Sequence, residues 1–169
     1  MKKLGWIGIS VILVFSLFMT ACGKEEVKPA AIDHKTDKCD VCNMSVANNQ
    51  FATEVALENG KILKFDDIGC MFKWEKEHEG KTVEKEFVRD FTSKEWVEAN
   101  KAYFVYDKEV RTPMAYNMIS FKEKKDAEEY ATKNNGTNMT YDQLKKHDWH
   151  RNSEMMHHQK QQHHGNGNM

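Results

Sequence analysis

Apolar residues fall in three textures along this chain. Residues 4–19 are an apolar run relieved only by Gly5, Gly8, Ser10 and Ser16. From Phe51 the texture becomes periodic. Residues 51–57 alternate and predict a strand, Asn59-Gly60 is a two-residue hairpin signal, and residues 61–65 return as a second strand. Ile68, Met71, Phe72 and Glu75 then recur at helical spacing over 68–78, with Asp66 or Asp67 placed to cap the helix. Residues 86–91 predict a third strand. The same order returns: strands at 102–106 and 114–121, a helix over 124–133 with Ala127, Tyr130 and Ala131 on one side, a short closing strand at 138–141 and a helical turn to His147. Strand-strand-helix-strand thus occurs twice, offset by roughly 50 residues. The expectation is an α+β fold of two small halves, about 39–99 and 100–148, each too small to bury a good core alone and therefore packed on the other. From Asn152 onward the apolar period disappears, and residues 149–169 are expected to be a disordered tail.

The two ends carry signals of their own. Met1-Lys2-Lys3, the apolar run and Thr20-Ala21-Cys22 have the layout of a secretory signal, and the Cys directly after the small residues resembles a bacterial lipobox. This predicts cleavage of 1–21, lipidation of the Cys22 thiol, a polar tether over 22–38 and a location on the outer face of the cell membrane. A mean hydropathy of -0.76 excludes a polytopic membrane protein. A net charge of -1 with balanced signs gives no field for nucleic acid.

Chemistry concentrates in sulfur and imidazole. The chain has 10 Met, 8 His and 4 Cys. Cys39-Asp-Val-Cys42-Asn-Met44 offers soft donors suited to Cu(I), and an extended segment would turn Cys42 and Met44 the same way. The Cys39-x-x-Cys42 spacing alone also fits a redox pair, half a zinc site or a disulfide. In Thr112-Pro113-Met114 the proline presents Met114 on a fixed turn as a further candidate ligand, with Met118 behind it. Asp66 and Asp67 read as a helix cap rather than an acid–base pair, and Cys70 as a core thiol, with pairing to Cys39 or Cys42 as the alternative. His147, His150, Met155, Met156, His157, His158, His163 and His164 form a secondary set for weak, plural metal binding. No G-x-S-x-G, H-E-x-x-H, C-x-x-C-H or Gly-rich phosphate loop occurs, so the pattern points away from an enzyme and from a small-molecule substrate.

In order, the chain shows a lipobox, Cys42-Asn43-Met44, Gly60, the segment 65–71, Val88-Arg89-Asp90, the segment 96–99, Thr112-Pro113-Met114 and Ser120-Phe121 before the Ala127 helix. This run, over about 39–144, resembles the NosL lipoproteins, copper chaperones associated with nitrous oxide reductase assembly. The resemblance implies two related halves and a membrane-anchored protein that binds one Cu(I). It implies delivery to a maturing copper enzyme, with an ABC-type complex as a further partner. The family's Cys-Gly-Met motif corresponds to Cys42, Asn43 and Met44, and its Pro-Met element to Pro113 and Met114. Asn43 stands where the family has glycine, and Cys39 adds a thiol that closes the site if it pairs with Cys42. Two other readings stand beside this one: a thiol-disulfide oxidoreductase using Cys39 and Cys42, and a metal store using the tail.

Overall fold

In a computed structural model, which describes residues 26–153, the Asn59-Gly60 turn returns the chain as expected. Gly60 has φ +82°, and strand β1 (Thr53–Leu57) pairs antiparallel with β2 (Ile62–Phe65), Val55 opposite Leu63. Helix α1 (Ile68–Glu77) starts on Asp67, whose Oδ1 accepts the Gly69 N–H at 3.0 Å. Strand β3 (Val83–Arg89) returns to the far side of β1, and β4 (Trp96–Glu98) adds to its edge, giving the order β2-β1-β3-β4. In the second half, β5 (Tyr103–Tyr106) is flanked by β6 (Met118–Phe121) and, after helix α2 (Lys124–Asn134), by β7 (Thr137–Met139). Helix α3 (Tyr141–Lys146) follows, closed at its start by a reciprocal Thr140–Gln143 capping box. In each half the first strand is central and its neighbours are the second strand and the strand after the helix. The fold is α+β, and the repeat read from the sequence appears in the strand orders.

The two halves share one core. Val55, Leu63, Phe65, Met71, Phe72 and Val88 of the first half join Phe104, Tyr116, Met118 and Leu144 of the second in one buried cluster. The alternate residues Val105, Ile119 and Phe121 face the other way, onto Ala127 and Ala131 of α2. Period-2 alternation in β5 and β6 therefore serves two layers, one towards the first half and one towards a private helix. Where α1 meets the second half, Gly69 leaves the ring of Tyr116 packed directly on the helix backbone. A Cβ on Gly69 would lie 2.1 Å from the ring of Tyr116.

Several boundaries differ from the sequence reading. The third strand runs 83–89 and stops at Asp90, because that residue turns the chain through Thr92, Ser93 and Lys94. Strand β4 is three residues long, too short to show a period, and Arg89 of β3 lies 3.8 Å over its Trp96 ring. The strand expected over 114–121 begins only at Met118. Thr112 Oγ1 accepts the N–H groups of Tyr116 and Asn117, and Ala115 and Asn117 sit at φ +57° and +59°. The packed domain also runs past both expected ends. Ala30 N–H donates to Glu54, Lys64 holds the Ala31 carbonyl and Asp37, and Ser45 donates to the His34 carbonyl, so this part of the expected tether lies against the first half. At the other end Trp149 is buried between Phe72 and Tyr116, and the Asn152 N–H donates to the Ala115 carbonyl. Among the described residues no helix is long and apolar enough to cross a membrane.

Asp90 joins the halves. It bridges to Ser120, accepts from Thr92, Ser93 and the Ser93 hydroxyl, and reaches Lys122 N–H of the second half at 2.8 Å. Burial pushes its carboxyl up, but these donors outweigh burial and hold it below the ordinary aspartate value. Asp90→Ala is therefore expected to cost about 1–2 kcal/mol of stability at neutral pH, by removing the buried acceptor that Thr92, Ser93 and Lys122 share. Because the folded-state value is depressed, this contribution is complete above the unfolded pKa and fades as pH falls through the folded one. Urea unfolding of both chains at pH 7 and in acid should show the gap closing in acid.

Candidate metal centre

The centre is built by a tight loop laid beside the end of β2. Lys38 pairs with Ser45, the Cys39 N–H donates to the Met44 carbonyl at 2.8 Å, and the Asn43 N–H returns to the Cys39 carbonyl at 2.9 Å. Closing so small a ring needs a left-handed residue, and Asn43 takes it at φ +60°, a conformation asparagine tolerates better than most. The loop is fixed to β2 by Asp40, which exchanges main-chain and side-chain hydrogen bonds with Lys64. The segment is thus a turn and not the extended stretch expected. Cys42 is drawn inward and half-buried, whereas the Met44 side chain is 52% exposed.

Beyond Phe65 the chain passes Asp66 and enters α1, whose first turn carries Cys70. The Sγ atoms of Cys39, Cys42 and Cys70 and a carboxylate oxygen of Asp66 all lie within 4.8 Å of one another. Cys39, Cys70 and Asp66 are buried, so access to the group runs past Cys42. All three cysteines are free thiols. The Cys42 thiol lies 3.4 Å from both carboxylate oxygens of Asp66.

The cluster favours a thiolate on Cys39 and holds the other two thiols protonated. Cys39 is held well below the ordinary thiol range because it accepts from the Cys70 thiol, and then from main-chain N–H groups of Cys42, Asp66 and Val41 against the opposing effect of burial. Cys70 is pushed up by donating to Cys39 and by burial. Cys42 is also raised, by burial first and by the charge of Asp66 beside it. Burial, then the charge and hydrogen bonding of Cys39, lift Asp66 to about 6. A cation entering here replaces thiol protons, which is the ordinary proton cost of thiolate ligation.

Asp67 brings in the second expected element. It is almost wholly buried, caps α1 through Oδ1 and accepts the Met114 N–H through Oδ2 at 2.9 Å. One carboxylate thus ties the Thr112-Pro113-Met114 loop to the helix start that carries Cys70. Burial raises this carboxyl to about 6, moderated by Thr112, Met114 and Gly69 as donors. Met114 is half-buried against the core, while Met118 is buried within it and serves packing.

Of the residues singled out from the sequence, Cys39 and Cys42 meet at the centre, and Met114 is tethered by its N–H to Asp67 at the start of the helix that carries Cys70. Cys70 and Asp66, read as a core thiol and a cap, are the additions. The cap is Asp67, which leaves Asp66 free to face the sulfurs. The usable signal was the position of Cys70, three residues after a capping aspartate and hence on the first helical turn. Its pairing with Cys39, 31 residues earlier, is a tertiary fact. His147 is half-buried against Trp149, and His150 pairs with Asp148 at 2.6 Å, so both lie on the terminal segment and not in the sulfur group. Cys22, Met155, Met156, His157, His158, His163 and His164 lie outside the described residues.

Three sulfurs and one oxygen around a small space make a soft, preformed cation site reached from one side. A family model described as NosL matches residues 29–149. The crystal structure of the copper chaperone NosL from Shewanella denitrificans superposes with a TM-score of 0.61 at 23% identity, over 68% of this chain and 93% of that one. No curated protein matches the chain.

Proposed function

Because the chain belongs to the NosL family, we propose that it is a copper chaperone carrying one Cu(I) on Cys39, Cys42 and Cys70. The observation that carries this reading is the convergence of three free thiols within 4.8 Å, two buried and one at the surface. Thiolates suit the monovalent ion, and the carboxylate of Asp66 balances charge beside them as a poorer, harder donor. The half-buried Cys42 gives a partner's ligand a point of attack, so the ion can leave by stepwise exchange. Met114, held by Asp67, and the exposed Met44 stand as thioether donors for that exchange. The protein works as a lipid-anchored carrier on the outer face of the membrane, held by Cys22. It supplies a copper enzyme such as nitrous oxide reductase, with an ABC-type maturation complex as a further partner. It catalyses no reaction.

The redox reading of Cys39 and Cys42 has less support. An attacking thiolate must be accessible, but the thiol that ionises first, Cys39, is buried, and the more accessible Cys42 is the one held protonated. The test is transfer. Under anaerobic, reducing conditions the chain should take up one tight equivalent of Cu(I) and give it to a copper-free acceptor with stronger ligands. Free thiols that bind no tight equivalent, together with reduction of a model disulfide, would contradict the chaperone reading.

A further inference from the structure

Two carboxyls away from the metal centre meet where α3 packs on the first half. Glu75 in the last turn of α1 and Glu86 on β3 line one cavity of about 340 Å³. Their hydrogen-bond partners are unequally shared. Glu86 accepts from the Tyr141 hydroxyl of α3 at 2.6 Å and lies 4.0 Å from the Lys145 ammonium on the same helix. Glu75 Oε1 is buried with no hydrogen-bond partner. A buried oxygen without a donor is costly to charge, and two carboxylates side by side repel. Burial first, then the charge of Glu86, push the Glu75 carboxyl up to about 8, against the pull of Lys145. The other charged groups round the cavity are Lys76, His78, Glu79 and Lys81, all exposed and screened by water. Beyond Glu86 lie Glu84 and the Lys85–Glu98 pair, closed at 2.9 Å.

We propose that Glu75 and Glu86 form a proton-dependent clasp, in which neutral Glu75 lets Glu86 hold α3 and the 147–152 segment against the first half. The inference needs no metal and stands apart from the copper reading. When Glu75 loses its proton to water, a second negative charge faces Glu86 and strains its tie to Tyr141. The strain falls on a short element. Helix α3 has six residues and meets α1 through Tyr141 against Phe72, ring centres 5.9 Å apart. Just beyond it Trp149 stacks on the same Phe72 at 5.4 Å and meets Tyr116, which packs on Gly69 beside Cys70. The clasp therefore sets how firmly the terminal segment closes over the start of α1. Its sign is opposite to that of Asp90. The folded-state value of Glu75 is raised, so its contribution is complete below the ordinary glutamate range and is lost as pH rises through the folded value.

The experiment is amide hydrogen exchange of the full, metal-free chain between pH 6 and 9, corrected for the intrinsic pH dependence of exchange. Protection over 141–149 is read against protection over β1. One unit of pKa difference between closed and open clasp is a factor of ten. The wild-type chain should therefore lose at least about tenfold of its 141–149 protection across this range, with β1 losing less. Glu75→Gln cannot ionise and should keep a flat profile. Tyr141→Phe removes the donor that the clasp uses and leaves both carboxyls in place. It should begin low at pH 6 and change little. A flat wild-type profile, a fall that Glu75→Gln reproduces, or a Tyr141→Phe profile equal to wild type would each overturn the clasp. None of these results bears on Cu(I) binding by the thiols.

Discussion

Cys70→Ser is expected to weaken Cu(I) binding roughly 10²–10³-fold while leaving the fold intact. A closed four-ligand metal site is worth about 10–16 kcal/mol, so one sulfur accounts for about 3–4 kcal/mol, which converts to that factor. The serine hydroxyl occupies nearly the same volume and can still donate towards Cys39, so unfolding should shift by less than about 1 kcal/mol. Cys42→Ser should lose as much affinity, because Cys42 supplies one of the three sulfurs. Competition against a chromophoric chelator reads both. A change below threefold in Cys70→Ser would return that residue to the packing role its burial alone suggests.

Gly69→Ala is expected to destabilise the domain by about 3 kcal/mol and to weaken metal binding with it. The new methyl would lie 2.1, 2.2 and 2.7 Å from Cγ, Cδ2 and Cβ of Tyr116. These atoms belong to the root of a fully packed ring, which cannot swing clear as the tip of a flexible chain can. Alanine would gain up to about 1 kcal/mol of helix propensity, but overpacking of this kind costs about 1–3 kcal/mol and here also strains the Ala115 and Asn117 turns. Thermal unfolding should fall by roughly 10 °C at this chain length. Gly60→Ala is the comparison. Its Cβ meets no atom, so only the cost of φ +82° applies. An unchanged melting temperature in Gly69→Ala would mean that the two halves are not locked together at this contact.

What could be read from the residues follows their physics. Strand β1 alternated, Asn59-Gly60 demanded a turn and α1 announced its cap, so the hairpin and the first helix were legible nearly to the residue. The two-fold order was legible because each half repeats one local pattern. Strand β4 was hidden because three residues show no period, and its place rests on Arg89 stacking over Trp96. The late start of β6 was hidden because Thr112 satisfies two N–H groups through its side chain, which apolar spacing does not register. Among the sulfur donors the pattern named Cys39 and Cys42, which the structure brings together, and Met114, which it ties to Asp67. It misjudged the direction of Met44, because Asn43 turns left-handed and converts an extended segment into a loop. It assigned Cys70 to packing ahead of pairing with Cys39 or Cys42, because a buried thiol on an apolar helix face looks the same whether it packs or ligates. Only the approach of the 39–44 loop to the start of α1 separates the two.

The central claim is that three cysteine sulfurs, and not the imidazoles of the tail, hold the ion. X-ray absorption on the one-equivalent Cu(I) complex of the full reduced chain tests it directly. A first shell of three sulfurs, falling to two in Cys70→Ser, is the expected result. A first shell dominated by nitrogen or oxygen, unchanged in Cys70→Ser, would contradict it.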